Sequence, residues 1–192
     1  MSAPRILSFA GSTRRESVNR KLLNCAVDAA RAAGGDLTVV DLADYPLPLM
    51  DEDLEAGQGE PANAAALKQL FLAHQGLLLA CPEYNSSITP LLKNVIDWVS
   101  RRHGSEAPLA AYQGKVAGLI SASPSVNGGM RGLVHVRSIL GNIGVLVLPD
   151  QVTVAKAHEA FAPDGSLKDS GLRDRLGKFA GTLVRTTAAL HG

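Results

Sequence analysis

Cysteine is scarce in this chain, and an excess of charge of either sign is absent. The two cysteines, Cys25 and Cys81, are far apart and lack a C-x-x-C spacing. Their number and spacing argue against a disulfide framework and against a structural zinc site. Lys and Arg number 19 and Asp and Glu number 18, so the formal net charge is +1. This balance argues against strong nonspecific binding of nucleic acid or anionic membranes, but it is compatible with a local basic pocket for a phosphate.

Motifs of several common enzyme classes are also missing. The sequence contains no G-x-G-x-x-G, no Walker loop and no G-x-S-x-G nucleophile elbow. Its five histidines lack the spacing of metal ligands, so we expect no metal. A signal peptide and a long apolar span are absent as well. The simplest expectation is therefore a cytoplasmic protein that does not enter a membrane.

What the chain does have is a regular alternation of short apolar runs and helical patterns. It has 192 residues, 46% of them hydrophobic, and this size predicts one domain over residues 1–192. Strands are predicted at 5–10, 37–42, 76–81, 115–121 and 145–148, and helices at 17–33, 62–73, 90–101, 130–143 and 167–190. Residues 152–154 either extend the fifth strand or begin a surface segment. A long loop with an acidic run is predicted between the second strand and the second helix.

This alternation of strands and helices predicts the fold class. It is typical of an α/β fold in which a doubly wound, five-stranded parallel sheet lies between two layers of helices. The expected strand order is 2-1-3-4-5, with the ligand crevice between strands one and three. The loops after strands one, three and four would then meet at the carboxyl edge of the sheet. These three loops are also the most unusual stretches of the sequence.

The first of these loops suits a phosphate. It reads Gly11-Ser12-Thr13-Arg14-Arg15-Glu16-Ser17-Val18-Asn19 and leads into a predicted helix. The hydroxyls of Ser12 and Ser17, the charge of Arg14 and the N–H groups of a helix start all favour an anion. The alternative is that Ser17 only caps the helix and that the arginines are solvated.

The second and third loops suit a flat heteroaromatic ring. In Pro82-Glu83-Tyr84-Asn85, Tyr84 offers an apolar contact, and Asn85 is either a hydrogen-bonding partner for a ring edge or a simple turn residue. Glu83 is either a ligand or a carboxylate that holds the loop or contacts a neighbouring subunit. The third loop, residues 121–131, has glycines that allow a ring to approach the backbone. Taken alone, it would be an ordinary connection.

Together these segments resemble the NADPH-dependent FMN reductase family. The first loop is similar to the family's G-S-x-R-x-x-S-x-N phosphate loop. Pro82-Glu83-Tyr84-Asn85, with Leu92-Lys93-Asn94-Val95-Ile96-Asp97-Trp98, resembles its P-E-Y-N-x-S…L-K-N-x-I-D-W signature, and Ser123-Pro124 with Gly128-Gly129…Arg131 resembles its third loop. Ser86 is a departure, since many relatives have glycine there. An added hydroxyl at this position is expected to narrow the approach of the nicotinamide.

The resemblance implies a flavodoxin-like fold and a set of FMN-binding residues. Ser12, Arg14, Ser17 and Asn19 would hold the phosphate, with Val18 in the same loop. Pro82, Glu83, Tyr84 and Asn85 would frame the isoalloxazine, with Ser123 and Gly128 near its other side. The implied co-substrate is NADPH or NADH. No side chain is expected to be catalytic, because the flavin N5 would accept the hydride.

The activity that the resemblance implies is the reduction of a small acceptor: a quinone, an azo dye, chromate or free flavin. The alternatives are a flavodoxin-type electron carrier, a redox-sensing flavin module without NADPH turnover, and a hydrolase that uses Ser12 or Ser123. The chain lacks the T-x-T-G-N-T-like loop and the acidity of flavodoxin carriers. The resemblance also implies a homodimer or homotetramer, and the apolar loop Pro46-Leu47-Pro48-Leu49-Met50 suits a subunit contact. Lys93, Asn94 and Asp97 are expected to fix their helix to the loop that precedes it.

Overall fold

A computed structural model describes residues 3–192 of the chain. The strands are β1 (Arg5–Ala10), β2 (Asp36–Val40), β3 (Gly76–Ala80), β4 (Glu83–Tyr84), β5 (Ser87–Ile88), β6 (Val116–Ala122) and β7 (Leu146–Val154). The α-helices are α1 (Val18–Ala32), α2 (Glu52–Gln58), α3 (Ala62–Ala73), α4 (Pro90–Ser100), α5 (Met130–Asn142), α6 (Ala157–Ala160) and α7 (Ser170–His191), and Leu42–Asp44 form a short 3-10 helix. Within residues 3–192, no helix combines the length and the apolar character needed to cross a membrane.

Five of the strands form one parallel sheet. Its order is β2-β1-β3-β6-β7, with parallel pairing throughout, which confirms the predicted order because β6 and β7 are its fourth and fifth strands in sequence. The central strand, β3, is buried along its whole length. Strands β4 and β5 lie outside this sheet and form a separate two-stranded hairpin.

Successive residues of the strands face opposite layers of helices. In β1, Ile6 and Ala10 belong to the core that α1 and α7 cover, while Leu7 and Phe9 belong to the core under α3, α4 and α5. This alternation follows from the period of two in an extended chain. A strand that is covered on both faces needs apolar residues at odd and even positions alike, and the uninterrupted apolar runs of the sequence supply them. The molecule is therefore the expected three-layer α/β/α structure.

The edge strand β7 is longer than predicted. It continues through Pro149 to Val154, so residues 152–154 extend the strand. Its pairing with β6 shifts register between Ala117 and Leu119, which places Pro149 in the irregular part of the strand. An edge strand tolerates a proline at such a point. The Arg137 guanidinium donates hydrogen bonds to the carbonyls of Val147, Leu148 and Pro149, and these bonds hold the irregular stretch.

The acidic run forms a helix, α2, where the sequence predicts a loop. The Asp51 carboxylate accepts hydrogen bonds from the N–H groups of Asp53 and Leu54 at 2.8 and 3.2 Å and caps the helix. Acidic residues also suit the positive end of a helix dipole. At 2.6 Å, Arg101 pairs with Glu55 of α2 and holds the pKa of that carboxyl below its ordinary value, chiefly through this hydrogen bond. The cap and this ion pair compensate for a helix that buries no side chain.

Helix α4 holds the apolar loop 46–50. The Asn94 Nδ2 and the Trp98 Nε1 both donate to the Pro48 carbonyl at 2.8 Å, and the Asn94 Oδ1 accepts from the Met50 N–H. The prediction that Asn94 fixes its helix to the preceding loop is therefore wrong, since Asn94 binds loop 46–50. Lys93 and Asp97 pair with each other at 2.8 Å, within the helix. Trp98 is fully buried, while Leu49 remains 77% exposed at the tip of the apolar loop. The predicted homo-oligomer stays a prediction.

Gly118 of β6 lies against α7 at a point where a side chain would not fit. A Cβ at this position would lie 2.8 Å from the Phe179 Cζ and 3.1 Å from the Leu183 Cδ2. We expect Gly118→Ala to lower the free energy of unfolding by about 1–3 kcal/mol, because overpacking forces neighbouring groups to move. Urea denaturation of the two proteins measures this difference.

A double-variant cycle tests the cause of that loss. Phe179→Leu removes the ring atoms that the added methyl group would meet, so the cost of Gly118→Ala should be smaller in the Phe179→Leu background. Purely additive costs would show that this contact does not limit the size of residue 118.

Candidate functional site

A cavity of about 320 Å³ lies where the loops after β1, β3 and β6 meet at the carboxyl edge of the sheet. Because the chain runs to opposite sides of the sheet from β1 and β3, this edge is a topological switch point, where ligands of such folds bind. The cavity is lined by Ser12, Arg14, Ser17, Val18, Asn19, Pro82, Glu83, Tyr84, Ala122, Ser123 and Pro124. Of the predicted site residues, only Asn85 and Gly128 do not line it. Ala122 and Pro124 line it without having been predicted.

The first loop is closed by its own hydrogen bonds and leads directly into α1. The Ser12 Oγ accepts from the Arg14 N–H at 3.3 Å, and the Ser17 N–H donates to the Arg14 carbonyl at 3.1 Å. The Ser17 Oγ accepts from the Arg20 N–H at 3.4 Å and so caps the helix. Accepting this bond leaves the hydroxyl proton of Ser17 free to be donated. Hydroxyls, a guanidinium and the positive end of a 15-residue helix therefore surround this end of the cavity.

Asn19 connects α1 to the third loop. Its Nδ2 donates to the Ala122 carbonyl at 2.8 Å, and its Oδ1 accepts from the Ala122 N–H at 2.9 Å. The side chain is buried, with 3% of the residue exposed. Both of its polar atoms thus bind the protein itself. The structure places Asn19 at the cavity as a residue that positions the helix start.

The first and second loops are packed tightly against each other. The Gly11 carbonyl accepts a hydrogen bond from the Thr89 Oγ1 at 3.0 Å, and this Oγ1 accepts from the Leu92 N–H, capping α4. A Cβ at Gly11 would lie only 3.0 Å from the Leu92 Cβ and 3.3 Å from the Pro82 Cδ. Sequence analysis missed Thr89, although a threonine directly before a proline at the first helical position is a recognisable N-cap.

The second loop contains a hairpin that the sequence analysis did not predict. Glu83 pairs with Ile88 and Tyr84 pairs with Ser87, and the two turn residues Asn85 and Ser86 have φ angles of 50° and 66°. Positive φ at both central residues is the pattern of a type I′ turn. Of the two interpretations of Asn85, a hydrogen-bonding partner for a ring edge or a turn residue, the geometry supports the turn residue. Tyr84 lies beside it with 59% of the residue exposed.

Glu83 holds the second loop to the third. Its Oε2 accepts a hydrogen bond from the Gly132 N–H, in the first turn of α5, at 3.0 Å. The N-cap residue of α5 is Gly129, which has no side chain that could cap the helix, so Glu83 supplies the cap. A carboxylate is favoured at this end of a helix. Of the alternatives for Glu83, the geometry supports the one in which it holds the loop.

Gly129 allows the third loop to approach the end of β3. It has a φ of 87°, and a Cβ there would lie 2.0 Å from the Ser121 Oγ. That hydroxyl donates to the Cys81 carbonyl at 2.7 Å. The neighbouring Gly128, which was predicted to lie near the ring, instead packs against the backbone of Val154 and Ala155. Neither glycine lines the cavity, and the packing of both depends on tertiary contacts that the sequence does not show.

Cys81 directly follows β3 and precedes Pro82 of the cavity lining, but it behaves as a small apolar side chain. The residue is fully buried, and burial raises the pKa of its thiol well above the ordinary value. A thiol held in its protonated form is a poor nucleophile. This agrees with the interpretation of Cys81 as a core residue.

A larger cavity, of about 570 Å³, lies elsewhere, between the end of β7 and the start of α7. Its lining includes the charged residues Lys156, Glu159, Lys168, Asp169 and Arg175, and it contains none of the predicted site residues. Size alone therefore does not identify the site. The convergence of three loops and their donor groups identifies the smaller cavity as the candidate.

Comparison with known proteins points to one family of enzymes. The family model of NADPH-dependent FMN reductases matches residues 4–159. An NADPH:quinone oxidoreductase of Arabidopsis thaliana is 30% identical over 98% of this chain and 94% of its own length. The flavoenzyme FerB of Paracoccus denitrificans, an NAD(P)H:(acceptor) oxidoreductase, is 27% identical with a TM-score of 0.80 and covers 97% of this chain and 98% of its own.

A flavodoxin of Streptococcus pneumoniae shares the fold alone, with 14% identity and a TM-score of 0.59 over 96% of this chain and 99% of its own. The flavodoxin-like architecture expected from the sequence is therefore confirmed. Because the family model extends from the residue before β1 into α6, across all three loops of the cavity, the chain belongs to the NADPH-dependent FMN reductase family.

Proposed function

We propose that this protein holds FMN in the cavity formed by the three loops and catalyses electron transfer from NADPH or NADH to a quinone. The observation that carries the proposal is the meeting of two unlike surfaces in one cavity. Ser12, Arg14 and Ser17 provide donors for a phosphate at one part of it, and Pro82 and Tyr84 provide flat contacts at another. Membership of the reductase family supports the cofactor and the type of reaction.

The residues present fit FMN. The cavity volume of about 320 Å³ lies within the range of small-molecule sites, roughly 300–1,000 Å³. Ser12, Arg14, Ser17 and the start of α1 would hold the phosphate, and the second and third loops would flank the ring. When bound, the flavin supplies the redox chemistry, taking up electrons from the reduced nicotinamide and passing them to the acceptor. The protein supplies binding, orientation and access.

Exposed apolar side chains of the second and third loops favour a planar apolar acceptor. Tyr84 lines the cavity, and Val126 and Met130, in the third loop and at the start of α5, are 77% and 52% exposed. Exposed apolar groups of this kind commonly mark binding surfaces. They suit a quinone better than a chromate anion. The Arabidopsis relative named NADPH:quinone oxidoreductase supports the same acceptor class.

The reaction itself is tested by anaerobic reduction. We expect NADPH to bleach the flavin absorbance of the FMN-loaded protein, and subsequent addition of a quinone to restore it. A flavodoxin-type carrier would not be reduced directly by NADPH. Flavin absorbance that persists after NADPH is added would contradict the proposal.

The phosphate end of the site is tested with Arg14→Ala. We expect this variant to bind FMN about tenfold more weakly, because it loses a charge-assisted contact to the phosphate. Riboflavin, which lacks the phosphate, should bind the variant and the wild type equally. Flavin fluorescence titration measures both affinities. The exposed Arg102, which follows α4, provides a control variant with the same change of charge, Arg102→Ala. An equal loss of FMN and riboflavin affinity would show that Arg14 does not contact the phosphate.

The role of Glu83 is tested by two substitutions. Glu83→Ala removes the acceptor for the Gly132 N–H, so we expect the free energy of unfolding to fall by about 1 kcal/mol, as for a lost helix cap. FMN binding should weaken with it, because the second and third loops lose their connection. Glu83→Gln keeps an acceptor oxygen and should retain most of both properties. If Glu83→Gln impaired FMN binding while stability was unchanged, the carboxylate would have to be a direct ligand.

A further inference from the structure

Two residues of the second and third loops are in locally unfavourable positions. Ser86 has a φ of 66°, a conformation in which glycine is preferred and a residue with a Cβ is strained. Arg131 is the second residue of α5, and a positive charge near a helix N-terminus is disfavoured by the helix dipole. Residues that break local preferences without a gain in stability often serve function.

The two residues contact each other. The Arg131 Nη1 donates to the Ser86 Oγ at 2.9 Å, and this bond is exposed to solvent. An exposed bond of this kind contributes little to folding. Glycine at position 86 would relieve the backbone strain but would remove the hydroxyl. Ser86 therefore orients the guanidinium at a cost to the hairpin.

The guanidinium lies where the second and third loops are joined. Ser86 follows Tyr84, which lines the cavity, and Arg131 precedes Gly132, whose N–H binds the Glu83 carboxylate. Arg14, the arginine that lines the cavity, belongs to the first loop and is assigned to the FMN phosphate. Arg131 is thus the arginine that the other two loops offer to a second anionic group. One of its five N–H donors binds Ser86, and the others remain for a ligand.

We propose that Arg131, oriented by Ser86, binds the 2′-phosphate of NADPH and makes the enzyme prefer NADPH to NADH. This inference rests on the proposed function. A guanidinium forms paired hydrogen bonds with phosphate oxygens, and the 2′-phosphate is the group by which the two dinucleotides differ. Arg131 is then a specificity-determining residue and Ser86 a positioning residue, and neither takes part in electron transfer.

Steady-state kinetics of the FMN-loaded enzyme with a saturating quinone test the proposal. The ratio of kcat/KM for NADPH to that for NADH should fall about tenfold or more in Arg131→Ala, through a higher KM for NADPH. The kcat/KM and KM for NADH should not change. Arg131→Lys should keep part of the preference, and Ser86→Gly should lower it by less than Arg131→Ala does. The control Arg102→Ala should keep the ratio of the wild type.

Calorimetric titration of the FMN-loaded protein gives a readout that does not depend on turnover. The wild type should bind adenosine 2′,5′-bisphosphate more tightly than 5′-AMP, and Arg131→Ala should bind the two equally. An unchanged NADPH:NADH ratio in Arg131→Ala, or equal losses with both dinucleotides, would overturn the inference. A wild type that oxidises NADPH and NADH equally well would overturn it as well, while leaving the proposed function intact. A wild type that oxidises neither would overturn both.

Discussion

The paired hydrogen bonds between Asn19 and Ala122 are the contact on which the site depends. They join the first turn of α1 to the last residue of β6, across 103 positions of sequence, in a buried place. Breaking them would leave two buried backbone groups without partners, at about 1–3 kcal/mol each. The helix that favours an anion is thereby held at a fixed position relative to the third loop. Without this link, the start of α1 and the third loop would not be held around one cavity.

The remaining contacts between the loops work in the same way. Thr89 binds the carbonyl of Gly11, Ser121 binds the carbonyl of Cys81, and Glu83 binds the N–H of Gly132. Each bond joins a side chain of one segment to the backbone of another, so loop positions are fixed through the main chain. A site held in this way is organised before its ligand arrives, which reduces the entropy lost on binding.

The sequence was sufficient for the sheet and for most of the cavity, because both follow from strong local signals. Apolar runs separated by helical periodicity predict a parallel sheet, and its topology brings three particular loops together. The β4–β5 hairpin could not be predicted, since its strands have two residues each and its turn is Asn85-Ser86 rather than the more typical Asn-Gly. Helix α2 was missed because its stability comes from the Asp51 cap and from Arg101, which is distant in sequence.

The site also separates two kinds of residue within the motifs that resemble the family. Asn19, Glu83, Asn94 and Trp98 direct polar atoms at the protein's own backbone. Ser12, Arg14, Ser17 and Tyr84 line the cavity without a bond from their side chains to the backbone of another loop. A motif of this composition therefore specifies the arrangement of the loops as much as the contacts with the cofactor. Exposed side chains between those motif residues, such as Val126 and Met130, can instead change without disturbing the hydrogen bonds that hold the loops.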